Sequence, residues 1–168
     1  APERQDAHIN LAALLVDQGR QQEALEHSMK ALEILPNSAE EQFNVAQALR
    51  SLGRLDEAMA GFLEASGMAP ELAEPYAAYA KTVCMKPAAT DEERREALRL
   101  AEKAVLLTNS ARADLLEIAA QTRAALGGYA AAVQLVDRAL ALPGPSKNEV
   151  FAKRLRQERE DYLRKGGK

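Results

Sequence analysis

The sequence predicts an all-α fold: an α-solenoid of helix–turn–helix repeats, closed by a C-terminal helix. Three observations carry this. Pro36 and Pro70 lie 34 residues apart, and the same offset relates Gly19 to Gly53, Ala12 to Ala46, Leu15 to Leu49 and Ala24 to Ala58. That is the period of a two-helix repeat. Hydrophobic residues make up 47% of the chain, yet there is no Trp and few Phe or Tyr. Such an excess of small side chains suits helix packed on helix, whereas a β-sandwich draws on β-branched and aromatic residues. Finally, apolar residues recur at helical spacing between turn residues along most of the chain.

The first repeat spans residues 5–38. Leu11, Ala12, Leu14 and Leu15 give its first helix an apolar face. Asp17-Gln18-Gly19-Arg20 ends that helix, Gly19 being free to adopt the positive φ of a helix stop. Ala24, Leu25, Met29, Leu32 and Leu35 form the second stripe, and Pro36 ends it. The second repeat, residues 39–72, opens with a capping box of Ser38 and Glu41. Phe43, Val45, Ala46 and Leu49 form its inner stripe, and Leu55, Ala58, Met59, Phe62 and Leu63 the next, around a turn at Gly53.

The third repeat, 73–111, departs from the pattern. Pro75 stands near its start, where Pro is tolerated, followed by Tyr76, Tyr79, Ala80 and Val83. Its turn is lengthened by five residues around Lys86–Thr90, and Thr90 with Glu93 reads as a second capping box. Ala97, Leu98, Ala101, Ala104 and Val105 face inward on the helix that follows. The fourth repeat, 113–145, carries Leu115, Leu116, Ala119 and Ala120, a turn at Gly127-Gly128, then Ala132, Val133, Val136 and Ala139, and closes with Pro143-Gly144-Pro145. Ser146 and Glu149 read as a third capping box for a closing helix over 146–165. That helix buries Val150, Phe151, Leu155 and Leu163 and is charged elsewhere, as an array needs in order to stop stacking.

The formal net charge is −3, unevenly spread: residues 147–168 hold eight Lys/Arg against four Asp/Glu, so the body is acidic. The tail's charges alternate in sign at helical spacing, which favours a solvated helix over a nucleic-acid arm. No apolar run approaches the length of a membrane span, so direct membrane insertion is not expected. Cys84 is alone, which rules out an internal disulfide. The Ala-Pro start suggests a processed or excised chain, so the compartment is open between cytoplasm and, within an exported or membrane protein, periplasm.

These residues resemble the tetratricopeptide repeat (TPR). Its small-residue signature matches Ala12, Ala24 and Ala31 with Pro36 in the first repeat, Ala46, Ala58 and Ser66 with Pro70 in the second, and Ala120, Ala132 and Ala139 in the fourth. The family's Trp position is occupied by His8, Gln42, Tyr76 and Leu116, and Asn109 stands where Pro is expected. The resemblance implies one right-handed array over 1–168 and a protein-interaction role. The stretch Ala97–Thr108 and the basic closing helix also resemble the last repeats of bacterial multi-TPR proteins. Some of those are attached to membrane glycosyltransferase-like proteins. That likeness supplies the alternative role, a non-catalytic accessory domain of a larger enzyme.

Nothing in the sequence supports catalysis, a cofactor or a metal. His8 falls at a core position, and His27 follows Glu23 by one turn as a surface pair. Neither has a ligand partner at metal spacing. Cys84 reads as a small packed thiol. No nucleophile elbow or phosphate loop is present.

By the TPR resemblance the first helix of each repeat lines a ligand groove. The groove positions are Asp6, Ile9, Asn10, Ala13 and Val16 in the first repeat, and Glu40, Phe43, Asn44, Gln47 and Arg50 in the second. The third supplies Glu74, Ala77, Ala78, Lys81 and Cys84, and the fourth Asp114, Glu117, Ile118, Gln121 and Ala124. Asn10, Phe43, Asn44, Gln47, Arg50, Lys81, Glu117 and Gln121 are the candidate contacts. Asn44 and Lys81 match the carboxylate clamp of chaperone-binding TPR proteins, but Ile9, Ala13 and Ala77 replace its other members, so binding of chaperone C-termini is not expected. Asn10 and Asn44 share a register in which stacked amides hold a peptide backbone, similar to the asparagine ladder of O-linked N-acetylglucosamine transferases. A solvated role for the two amides weighs equally. The expected ligand is an extended or helical peptide of some acidic character. Self-association through a terminal repeat is a further expectation.

Overall fold

The computed structural model describes residues 2–167, with side chains from residue 7 onward except those of 13 and 17. Among the described residues there are ten α-helices and no strand. They are α1 (Pro2–Asp17), α2 (Gln21–Ile34), α3 (Ala39–Ser51), α4 (Leu55–Met68), α5 (Ala73–Met85), α6 (Asp91–Leu107), α7 (Ala113–Ala125), α8 (Tyr129–Leu140), α9 (Pro143–Lys147) and α10 (Glu149–Gly166). Packing gathers them into two compact units, Ala1–Glu71 and Leu72–Lys168. The division falls within a residue of the expected border between the second and third repeats.

In the first unit α1 packs on α2, α3 on α4, and α2 on α3. Both hairpin turns have the same construction. Gly19 and Gly53 take φ of +72° and +76°, and the following Arg20 and Arg54 amides reach back five residues to the carbonyls of Leu15 and Leu49 at 2.8 and 3.0 Å. This satisfies the last carbonyls of each first helix in a Schellman stop. Arg20 and Arg54 then each clamp a glutamate three residues on, Glu23 and Glu57. The small residues let the helices close. Ala24, Ala31, Ala46 and Ala58 are fully buried, and a Cβ on Gly61 would lie 2.9 Å from that of Ala46. At the third small position of the second repeat the fully buried residue is Ala65, 34 residues after Ala31; Ser66 is the less buried neighbour and bonds its hydroxyl to the Leu63 carbonyl.

In the second unit α5 packs on α6 and α7 on α8; α7 also meets α5 and α6, and α10 packs on α8. The lengthened turn is tied down. Thr90 and Glu93 form the full reciprocal capping box, and Lys86 donates to Glu93 at 2.7 Å. Only half of the box expected at Ser38 forms: its hydroxyl accepts from the Glu41 amide. After α6, Asn109 and Ser110 both take positive φ (50° and 57°), and the Ser110 amide bonds the Val105 carbonyl at 2.9 Å. Asn tolerates this left-handed region, so Asn109 performs the stop that glycine performs elsewhere.

The C-terminal segment corrects the sequence reading. Pro143–Lys147 is a short helix of its own, not a terminator. Ser146 therefore caps nothing further on; its hydroxyl donates to the Pro143 carbonyl. Asn148 is the N-cap of α10, accepting from the Phe151 amide. With the helix starting at Glu149, the buried stripe is Ala152, Leu155 and Tyr162, while Val150 and Leu163 are exposed. In the first unit Leu11, Leu14, Met29, Leu35 and Leu63 also stand exposed rather than inward.

The family's Trp position is filled in four ways. His8 Nδ1 meets His27 Nδ1 at 2.8 Å, so His27 pairs with His8 across the hairpin. Buried Gln42 donates to Glu64 at 2.6 Å. Buried Tyr76 takes a bond from Lys103, whose ammonium also sits 4.1 Å from the ring centroid. Leu116 is plain apolar core.

Candidate functional site

A cavity of about 530 Å³ opens in the first unit between α1 and α3, with α2 at its back. Ile9, Ala12 and Val16 form one wall; Glu40, Glu41, Asn44, Gln47, Ala48 and Ser51 form the other; Ser28 lies behind. The walls follow from helical periodicity. On α1, residues 9, 12 and 16 share one face, and on α3 residues 40, 44, 47 and 51 share another. The site thus sets an apolar wall against one of amides and carboxylates.

Its electrostatics are those of a partly dry groove. Burial raises the Glu41 pKa, the largest effect, while a side-chain bond from Asn44 opposes it. Asn44 therefore works locally as well as facing the cavity. Gln47 accepts a hydrogen bond from Arg50. Arg50 stands 5.4 Å from the Phe62 centroid, and burial depresses its pKa. Phe43 packs against Phe62 with ring centroids 5.4 Å apart. Of the candidate contacts in this unit, Asn44 and Gln47 line the cavity, Phe43 and Arg50 brace them through Phe62, and Asn10 stands exposed on α1 outside the lining. The side chains of Asp6 and Ala13, also groove positions by register, lie outside the described residues.

In the second unit Lys81 is exposed on α5. Glu117 is buried and held by Arg154 of α10 through two bonds of 2.7 and 2.9 Å. Gln121 donates to Glu158 of α10 at 2.8 Å. Both residues thus meet the closing helix. Their partners lie 37 residues downstream, one repeat period and about one helical turn on, so the spacing contained the signal. Around Cys84, a 310 Å³ cavity is lined by Val83, Lys86, Pro87, Arg94, Ala97, Thr122 and Ala125. Part of Cys84 faces solvent, but burial pushes its thiol up to about 11, which suits a packed thiol and not a nucleophile. Among the described residues no group of His, Cys, Asp or Glu is placed to hold a metal ion. No described helix is long and apolar enough to cross a membrane.

A model of the tetratricopeptide repeat matches residues 5–38 and 42–72, the two hairpins that build this cavity. These two segments are tetratricopeptide repeats. No curated protein sequence matches it significantly. Solved structures share the fold of this chain across nearly its whole length. A thermophilic TPR protein of Thermus thermophilus is 21% identical with a TM-score of 0.74, covering 94% of this chain and 80% of its own. A MamA fragment from Desulfovibrio magneticus is 14% identical with a TM-score of 0.75, covering 96% and 90%. Pseudomonas aeruginosa PilF is 20% identical with a TM-score of 0.74, covering 99% and 76%. At these identities the likeness speaks for the fold alone. TPR proteins generally bind protein partners and are typically non-catalytic scaffolds.

Proposed function

We propose that this TPR protein is an interaction scaffold that holds a peptide segment of its partner in the α1/α3 cavity of the first unit. The observation that carries the reading is the pairing of Ile9 and Val16 on one wall with Asn44 and Gln47 on the other. An extended segment needs both: amides that bond backbone N–H and C=O groups, and an apolar wall for alternate side chains. Asn10, Phe43 and Arg50 flank or brace this cavity. Lys81, on the second unit, is a separate exposed cation that favours acidic partner segments. Glu117 and Gln121, engaged by α10, are assigned secondary roles. The reading includes no catalysis, and nothing favours the accessory-domain alternative.

The test is selection of binders from a displayed random peptide library. Asn44→Ala with Gln47→Ala should weaken the selected peptides by roughly tenfold or more, at about 1 kcal/mol per lost bond. Glu33→Ala, exposed on α2, should leave binding intact. Helical circular dichroism should be the same in all three proteins. Peptides that bind the double variant as tightly as the parent would sink the proposal.

A further inference from the structure

The 310 Å³ cavity of the second unit does not end at Cys84. Another, of about 450 Å³, opens beyond it and shares Cys84 and Ala125 with the first. Gln121 of α7, Tyr129 of α8, and Tyr162 and Lys165 of α10 stand around it. The two make one cleft, and its ends are cationic. Lys86 of the lengthened turn and Arg94 of α6 stand at one end, and Lys165 at the other. Between them the lining is apolar and mostly small: Val83, Ala97, Ala124 and Ala125. Among the described residues no Asp or Glu lines either cavity, although the chain as a whole is negative.

The donors of this cleft are unspent. Tyr162 is 8% exposed, yet its hydroxyl bonds none of the described residues. A buried phenol ordinarily finds a partner. The Tyr129 hydroxyl and the Lys165 ammonium bond none of them either. Arg94 spends one donor on Asp91 and keeps the rest. The carboxyl groups behind the cleft are committed instead: Glu117 to Arg154, Asp161 to Arg164, and Glu158 to Gln121. Convergent donors without a facing acceptor suit a carboxylate. The two ends lie two helix steps apart, since α6 packs on α7 and α7 bonds α10. At about 8–10 Å a step, that is the reach of about five or six extended residues. A lone anion would satisfy one end only.

We infer that this cleft is a second binding site of the chain, taking an extended segment of a partner protein with an acidic side chain at each end and apolar ones between. One carboxylate meets Arg94 and Lys86. The other meets Lys165 and the Tyr162 hydroxyl. The apolar middle lies along Cys84, Ala124 and Ala125. The site belongs to the second unit and does not rest on the α1/α3 cavity.

The experiment uses Cys84, the chain's one cysteine, as reporter. Its thiol faces solvent in part, so a bound segment shields it. Alkylation by iodoacetamide is followed on the full 168-residue chain with end-blocked hexapeptides Glu-X-X-X-X-Glu, X being Leu, Ala or Tyr, and with their Gln-X-X-X-X-Gln counterparts. At up to roughly 1 mM, a range that spans weak binding, members of the acidic set should slow alkylation about tenfold and the Gln set should not. Tyr162→Phe removes only an unbonded hydroxyl, so it should keep the thermal midpoint and weaken the peptides about fivefold. Arg94→Gln with Lys165→Gln should abolish the protection. Asn44→Ala with Gln47→Ala, in the other unit, should keep it. The inference is overturned if no acidic peptide slows alkylation, if the Gln peptides slow it equally, or if protection is undiminished in Tyr162→Phe or in the double cation variant. Protection lost in the Asn44 and Gln47 variant places the segment in the first unit and overturns it too.

Discussion

Alanine at Gly61 and alanine at Gly67 are the same substitution in one helix, six residues apart, and should move stability in opposite directions. A Cβ on Gly61 would stand 2.9 Å from the Cβ of Ala46. Carbon atoms in contact prefer about 3.5 Å or more, so α3 and α4 would have to part by roughly 0.6 Å. Ala46 Cβ is fixed to its backbone and has no rotamer to escape into. Overpacking of this kind costs about 1–3 kcal/mol, against which the helix gains about 1 kcal/mol from replacing an interior glycine. The net expectation is a loss of up to about 2 kcal/mol, or up to roughly 8–16 °C in the thermal midpoint for a unit of this size. A Cβ on Gly67 meets nothing within 4 Å. There only the chain-entropy gain remains, about 0.5 kcal/mol near a helix end, or a rise of roughly 2–4 °C. Thermal unfolding followed at 222 nm measures both. Equal rises in the two variants would refute the close-approach argument for the first unit.

Other expectations follow from named contacts. Removing Arg154 leaves the buried Glu117 carboxylate without its two donors, so Arg154→Ala should cost about 1–3 kcal/mol, while Glu117→Gln with Arg154→Ala should recover part of it; a denaturant titration reads the difference, and equal losses would contradict the pairing. Glu41 and Glu93 should respond to pH with opposite sign. The folded state raises the Glu41 pKa by burial, so its protonated form is favoured and stability falls as pH rises through the raised value. Glu41→Gln should therefore raise the thermal midpoint at pH 7 and lose that advantage near pH 3. Glu93 is lowered, first by its bond from Lys86 and then by the Thr90 amide. Its contribution is present above the ordinary carboxylate pKa and is lost as pH falls through the lower folded value. Lys86→Met should flatten that acid limb, and an unchanged limb would speak against the Lys86–Glu93 tie.

Much of the fold was legible because it rests on local rules. Gly19, Gly53 and Gly127 announce themselves as helix stops, since positive φ is cheap only for glycine, and all three adopt it. The small residues at fixed offsets declare close helix approach, and Ala24, Ala46, Ala58, Ala97 and Ala132 are fully buried. The errors arose where two local signals competed. Ser146 and Glu149 have capping-box spacing, but Asn148 is nearer the true start and caps α10 instead. The face that α10 turns to α8 decides the stripe, which is Ala152, Leu155 and Tyr162 and not Val150 and Leu163. The candidate site was half legible. Register places Asn44 and Gln47 on one face of α3 and Ile9 and Val16 on one face of α1. Nothing in the sequence says that Arg50 is spent on Gln47 and Phe62, and the meeting of Glu117 and Gln121 with α10 shows there only as an offset of one repeat period plus about a turn.

What the sequence determined by itself was the repeat: its period, its glycine stops and its small-residue contacts, because each depends on residues within a turn or on a strict offset. What only the tertiary structure decided was the state of each surface. Leu11 and Val45 are the same residue class in the same register, yet one is exposed and the other buried. The difference lies in whether a helix is packed against them, which no local pattern encodes.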